Sequence, residues 1–147
     1  MRVALAMLAD SATVREGLLH ALGLGINHIG RESFPSALNA VIVVALERRP
    51  EDDGVVELHV RAEVRSLDST SEQLVFEADG SLRFDSARVE RSFYVPIVLE
   101  SQAAMIPGPG AYEVKITIGK LDQVDFQFFA EPLAPATGEA EASDPQG

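Results

Sequence analysis

Carboxylates gathered in turns are the side chains of this sequence best placed to do chemistry. Glu51, Asp52 and Asp53 lie together in the turn Arg49-Pro50-Glu51-Asp52-Asp53-Gly54, Asp10 ends the first apolar run, and Asp122 closes Gly119-Lys120-Leu121-Asp122. Hard divalent ions take carboxylate and carbonyl oxygens from loops of this kind. If successive strands alternate in direction, Asp10, Glu51, Asp52, Asp53 and Asp122 share one end of the domain, where calcium or a small ligand would bind weakly. The plainer reading is a solvated acidic rim that keeps the chain soluble.

Other chemistry lacks its parts. No G-x-S-x-G elbow and no H-E-x-x-H pattern occurs, and there is no cysteine to act as nucleophile or zinc ligand. Acids in a polar loop keep their charge near neutrality and cannot serve as general acids there. Gly23-Leu24-Gly25 continues to His28 where a dinucleotide fingerprint needs a third glycine. His20 and His28, if they lie on one extended strand, are ~26 Å apart, too far to share an ion unless the chain bends sharply at Gly25. His59 falls on the wet side of its strand. The expectation is a non-enzyme with no catalytic residue and no cofactor.

The elements that must carry these residues are read from period-two alternation. Val56, Leu58, Val60, Ala62 and Val64 interleave with Glu57, His59, Arg61, Glu63 and Arg65, and the pattern returns over Tyr112–Ile118 and Val124–Phe128. Each of these is a strand with one wet face. Val3–Ala9 and Ala40–Leu46 are apolar at every position, which predicts strands covered on both faces or central in a sheet. Gly17–Gly30 reads as an extended strand bent at its glycines, Asp79-Gly80 as the turn of a hairpin, and Phe93–Glu100 as a strand that Pro96 places at an edge or a bulge.

Turn residues separate eight or nine short strands, and no sustained helical period appears. The expected fold is therefore all-β: a two-sheet antiparallel sandwich, immunoglobulin-like, with a closed barrel as the rival. Most aromatics, including Phe76, Phe84, Phe93, Tyr112, Phe126 and Phe128, take the inward parity. Tyr94 and Phe129 have the opposite parity, which leaves them in an exposed patch or under a loop. The domain spans 1–131. Residues 132–147, rich in Pro, Ala and acids, form a disordered tail.

Leu8-Ala9-Asp10-Ser11-Ala12-Thr13-Val14 followed by Gly17-Leu18-Leu19-His20-Ala21-Leu22-Gly23, and later Pro107-Gly108-Pro109-Gly110-Ala111-Tyr112-Glu113-Val114, resemble an uncharacterised family of small bacterial proteins. The likeness runs over most of residues 1–131, and its motifs are structural. It implies a β-sandwich domain of unknown function and brings no activity with it. Family members often carry a Trp shortly after the paired glycines. Here Ile26 and Asn27 follow Gly25, so no binding role built on that aromatic carries over.

Charge narrows the partners. Twelve Lys and Arg stand against twenty-three Asp and Glu, a net charge of −11. Removing the four charges of residues 131–147 from −11 leaves −7 on residues 1–130. Neutralising phosphates takes clustered cations, so neither nucleic acid nor a membrane is expected as a partner. Val3–Ala9 is too short to span a bilayer, and it is at the low limit for a signal-peptide core. The chain reads as a cytoplasmic, non-catalytic binding or assembly module for a protein partner. It could also self-associate through Phe93–Glu100 as an edge strand.

Overall fold

The computed structural model describes residues 1–52, 54–70, 72–84, 93–119 and 123–134. It is all-β. The strands are β1 (Arg2–Ala9), β2 (Ser11–Arg15), β3 (Leu18–Leu22), β4 (His28–Arg31), β5 (Ser36–Ala37), β6 (Val41–Arg48), β7 (Gly54–Ser66), β8 (Glu72–Phe84), β9 (Phe93–Leu99), β10 (Met105–Ile106), β11 (Gly110–Ile118) and β12 (Gln123–Pro132). They form a three-stranded sheet β1-β6-β9, a five-stranded sheet β4-β12-β11-β7-β8, and the ribbons β2-β3 and β5-β10. The described residues thus hold twelve strands in four sheets, where eight or nine strands in two sheets were expected. The surplus comes from short pieces that alternation cannot resolve.

Alternation places the core. From the three-stranded sheet Leu8, Ile42, Val44, Leu46 and Leu99 turn inward, and from the five-stranded sheet so do Val60, Val114, Ile116 and Phe128; all join one buried cluster. Each fully buried Val, Ile or Leu stabilises the fold by roughly 1.5–3 kcal/mol. Tyr112 stacks on Phe128 at 5.3 Å between ring centroids, and its hydroxyl donates to the Gly108 carbonyl at 2.7 Å. The Pro-Gly-Pro-Gly turn is thereby tied to the core. Arg31 ties down the loop after β4, donating to the carbonyls of Gly30, Ala37 and Leu38 at 2.8, 3.3 and 2.5 Å.

The uniformly apolar stretch at β6 behaves as expected, because this strand lies between β1 and β9, central in its sheet. The stretch at β1 does not. Its one ladder is with β6, with a bulge between Val3 and Leu5, and its other edge carries only a bridge from Leu8 to Ile26. Apolarity on its second face therefore has to be explained otherwise. Pro96 does lie on an edge strand, β9, whose one ladder is with β6. Phe93, expected inside, is exposed and lies 5.3 Å beneath the Arg48 guanidinium.

Three further expectations are corrected. Gly17–Gly30 is not one bent strand: Ser11–Arg15 pairs with Leu18–Leu22 across a two-residue turn at Glu16 and Gly17, whose φ angles are 53° and 76°. Two consecutive positive φ values make the turn that matches strand twist, usually written Asn-Gly or Asp-Gly. Asp79-Gly80 is no turn. β8 runs straight through it, with Asp79 opposite His59 and Gly80 opposite Leu58, because the 13-residue β7 offers an unbroken partner and the chain reverses at 67–70 instead. Lastly, the sheet is not wholly antiparallel, since β4 runs parallel to β12.

The chain stays in the fold slightly past residue 131: β12 ends at Pro132 and the Leu133 amide donates to the Arg31 carbonyl at 2.9 Å. Residues 135–147 lie outside the described residues. No helix among the described residues is long and apolar enough to cross a membrane.

Candidate functional site

The acidic turns do not converge as a common end requires. Asp52 receives hydrogen bonds from the Met1 α-amino group, at 2.7 Å, and from the Arg49 amide, at 2.8 Å. The ammonium holds its carboxyl below the ordinary carboxylate range. Met1 precedes β1 and Asp10 follows it, so the intervening strand separates Asp52 from Asp10 by ~30 Å. Asp10 lies instead against Gly23, where a Cβ would sit 2.1 Å from the carboxylate oxygen. Glu51 reaches the Arg49 guanidinium at 3.9 Å. Asp53 and Asp122 lie outside the described residues, and among the described residues no three His, Asp or Glu side chains are placed to hold a metal.

The three histidines occupy β3, β4 and β7. His59 is exposed, with Nδ1 2.7 Å from Asp79 and Nε2 3.3 Å from Glu77. The hydrogen bond to Asp79, aided by the charge of both carboxylates, raises its pKa. Because the two ring nitrogens diverge, the carboxylates are held apart and not brought to one point.

This pair belongs to a charged lattice over the outer face of the five-stranded sheet. Arg61 bonds Glu63 and reaches Glu77 at 3.4 Å, and Arg65 bonds Glu113 at 2.5 Å. The bond from Arg61 lowers the Glu63 pKa. Lys115 lies in register with Glu63 on one side and Asp125 on the other. Charges of opposite sign are matched along this face, which satisfies it in water and leaves little for a ligand to gain. Phe129, 45% exposed, interrupts it at the β4 side and stacks on His28 with centroids 5.4 Å apart.

The outer face of the three-stranded sheet has the opposite character. By register its rows are Arg2–Glu47–Tyr94, Leu5–Ala45–Pro96 and Met7–Val43–Val98, followed by Ala9–Val41. The hairpin β2-β3 lies over the lower rows, with Ala12, Leu19 and Ala21 packed on Ala9, Val41, Val43 and Val98. This explains the second apolar face of β1 and β6. The row Leu5–Ala45–Pro96 stays half-buried, with Met7 beside it and Tyr94, 63% exposed, at its end. The ion pair of Arg2 with Glu47 closes that end.

The hairpin exposes apolar side chains of its own. Leu18 and Leu22, 62% and 71% exposed, flank His20 on its solvent side, opposite Arg15, Thr13 and Ser11. Leu24 is exposed just beyond. Ser11, Thr13, His20 and Leu22 line an open groove of about 540 Å³. Sequence reasoning missed this surface because Glu16-Gly17 disguises the turn. The available signal was Ser11-Ala12-Thr13-Val14 and Leu19-His20-Ala21-Leu22 alternating on either side of a glycine.

Compared with known proteins, residues 4–129 match the family of unknown function DUF6941, and the chain belongs to that family. The likeness to an uncharacterised family read from the motifs is thereby borne out. No curated protein matches the chain.

Proposed function

We propose that the chain is a non-catalytic, cytoplasmic β-sandwich module of immunoglobulin-like type that binds a protein partner through the outer face of its three-stranded sheet and the adjoining hairpin. The observation that carries this reading is the exposure of Tyr94 at the end of the half-buried row Leu5–Ala45–Pro96, with Leu18, Leu22 and Leu24 exposed on the hairpin that covers the rows below. Exposed large apolar side chains grouped on one side of a domain mark contact sites on soluble proteins. Tyr and Leu anchors surrounded by polar residues also fit the anatomy of an interface core and its rim. The shared core cluster of the two larger sheets supports the sandwich. Pairing through the edge of β9 is disfavoured, since Pro96 removes a backbone donor from the middle of that strand.

Calcium at an acidic loop end is the weaker reading, because β1 stands between Asp10 and Asp52. The test of the leading one is capture from a lysate of the source cells by wild type, Leu22→Asp, Tyr94→Glu and Gln127→Lys. The expected result is a protein retained by wild type and Gln127→Lys and lost with both acidic variants. A capture profile that none of the variants alters would overturn the assignment of this face.

A further inference from the structure

Sheet edges carry unpaired N–H and C=O groups and are normally blunted, and in the two larger sheets four strands stand at edges among the described residues: β1, β9, β4 and β8. Three of them are blunted. β9 holds Pro96, β1 has its bulge near Arg2 and a bridge from Leu8 to Ile26, and β4 is four residues long. β8 has thirteen residues and no proline, and its one irregularity, at Val75, leaves Phe76–Phe84 in continuous register. On its core side Phe76 and Leu82 are only half-buried, so an added strand would complete their cover.

The residues along β8 specify what fits there. Register with β7 sets Glu77, Asp79, Ser81 and Arg83 on the solvent side and Ala78 and Gly80 on the core side. Opposed residues of an antiparallel pair share a face, so a two-fold axis relating two copies of this strand must pass through a residue. An axis through Ala78 sets Glu77 against Asp79, and one through Glu77 or Asp79 sets a carboxylate on its own copy; one through Ser81 pairs Asp79 with Arg83 but opposes only residues 78–84 of the strand, where one through Gly80 opposes 76–84. An axis through Gly80 sets Glu77 opposite Arg83 and Asp79 opposite Ser81, each twice, with Ala78 opposite Leu82. Arg83 meets no carboxylate among the described residues. At Gly80 an added Cβ would meet nothing within 4 Å.

We propose that the chain self-associates through β8, antiparallel to β8 of a second copy about an axis through Gly80, joining two five-stranded sheets into one. The partner surface is an identical strand, chosen by the reciprocal Glu77–Arg83 pairs.

Sedimentation velocity of the full chain over a concentration series should show a monomer–dimer equilibrium. Arg83→Glu should weaken it by roughly tenfold, since two exposed ion pairs become two repulsions. The protein has no cysteine, so Gly80→Cys should cross-link to its own copy under mild oxidation, the opposed Cα atoms lying within disulfide reach. Ser81→Cys, opposed by Asp79, should not. A wild type that stays monomeric throughout the series overturns the proposal. So does a dimer indifferent to Arg83→Glu that cross-links no better through Gly80→Cys than through Ser81→Cys.

Discussion

The two outer faces of this molecule are built from the same pleated geometry and carry opposite chemistry. On the five-stranded sheet the outward positions are His59, Arg61, Glu63, Arg65 and Lys115, with His59, Arg61 and Arg65 paired to carboxylates on neighbouring strands, Arg61 also to Glu63 on its own, and Lys115 in register with Glu63 and Asp125. On the three-stranded sheet the same positions are Leu5, Met7, Val43, Ala45 and Pro96, partly roofed by a hairpin. A face that satisfies its own charges is finished in water. A face of aliphatic side chains needs a cover, and the hairpin supplies it over the lower rows only. The uncovered remainder is where the account places a partner.

The comparison can be broken hardest beneath the hairpin. Val43→Asp puts a carboxylate into the buried interface with Leu19 and Val98 and should cost more than about 3 kcal/mol, whereas Gln127→Lys at an outward position of the other sheet should stay within about 0.5 kcal/mol. Urea unfolding of both variants measures the contrast. Equal costs would mean that the hairpin does not seal the sheet.

A middle-sized effect is expected at the base of the hairpin. Gly23 has φ of 61°, so Gly23→Ala should destabilise by about 1 kcal/mol. As Asp10 must also move aside, the hairpin should loosen over Val41 and Val43. Faster amide exchange in β6, with β11 unchanged, is the signature to look for.

The smallest effect lies on the charged face and depends on pH. His59 has a raised pKa in the folded chain, so its contribution is fully present below its unfolded value of about 6.5 and is lost as pH rises through the folded value. Asp52, whose pKa is lowered, behaves inversely: its contribution is present above its unfolded value of about 3.9 and is lost as pH falls through the folded one. Titration of the His59 ring by NMR should give a midpoint above that of the same ring in Asp79→Asn. An unchanged midpoint would show that the Asp79 bond is not formed.

How much of this was legible in the sequence follows from what alternation can and cannot encode. Val60 to Arg65 announced both the strand and its wet face, and Ala40 to Leu46 announced a strand covered on both faces or central in its sheet. The cover itself was not legible, because the contact of Ala12, Leu19 and Ala21 with Val43 depends on a turn spelled Glu-Gly. Asp79-Gly80 misled for the converse reason: a strong local turn signal gave way to a long cross-strand ladder. The acidic turns shared a composition but not a location, since only the path of β1 shows that Asp10 and Asp52 end up apart. Tyr94 and Phe129 were marked by parity, and both are exposed.

The division between the faces can be measured without knowing the partner. NMR of the methyl-labelled chain, titrated with a few per cent isopropanol, reports which apolar side chains accept a small organic probe. The account predicts that shifts gather on Leu5, Met7, Ala45, Leu18 and Leu22, while methyls of the five-stranded sheet stay still. Shifts spread evenly over both sheets, or gathered around Phe129 and β8, would contradict it.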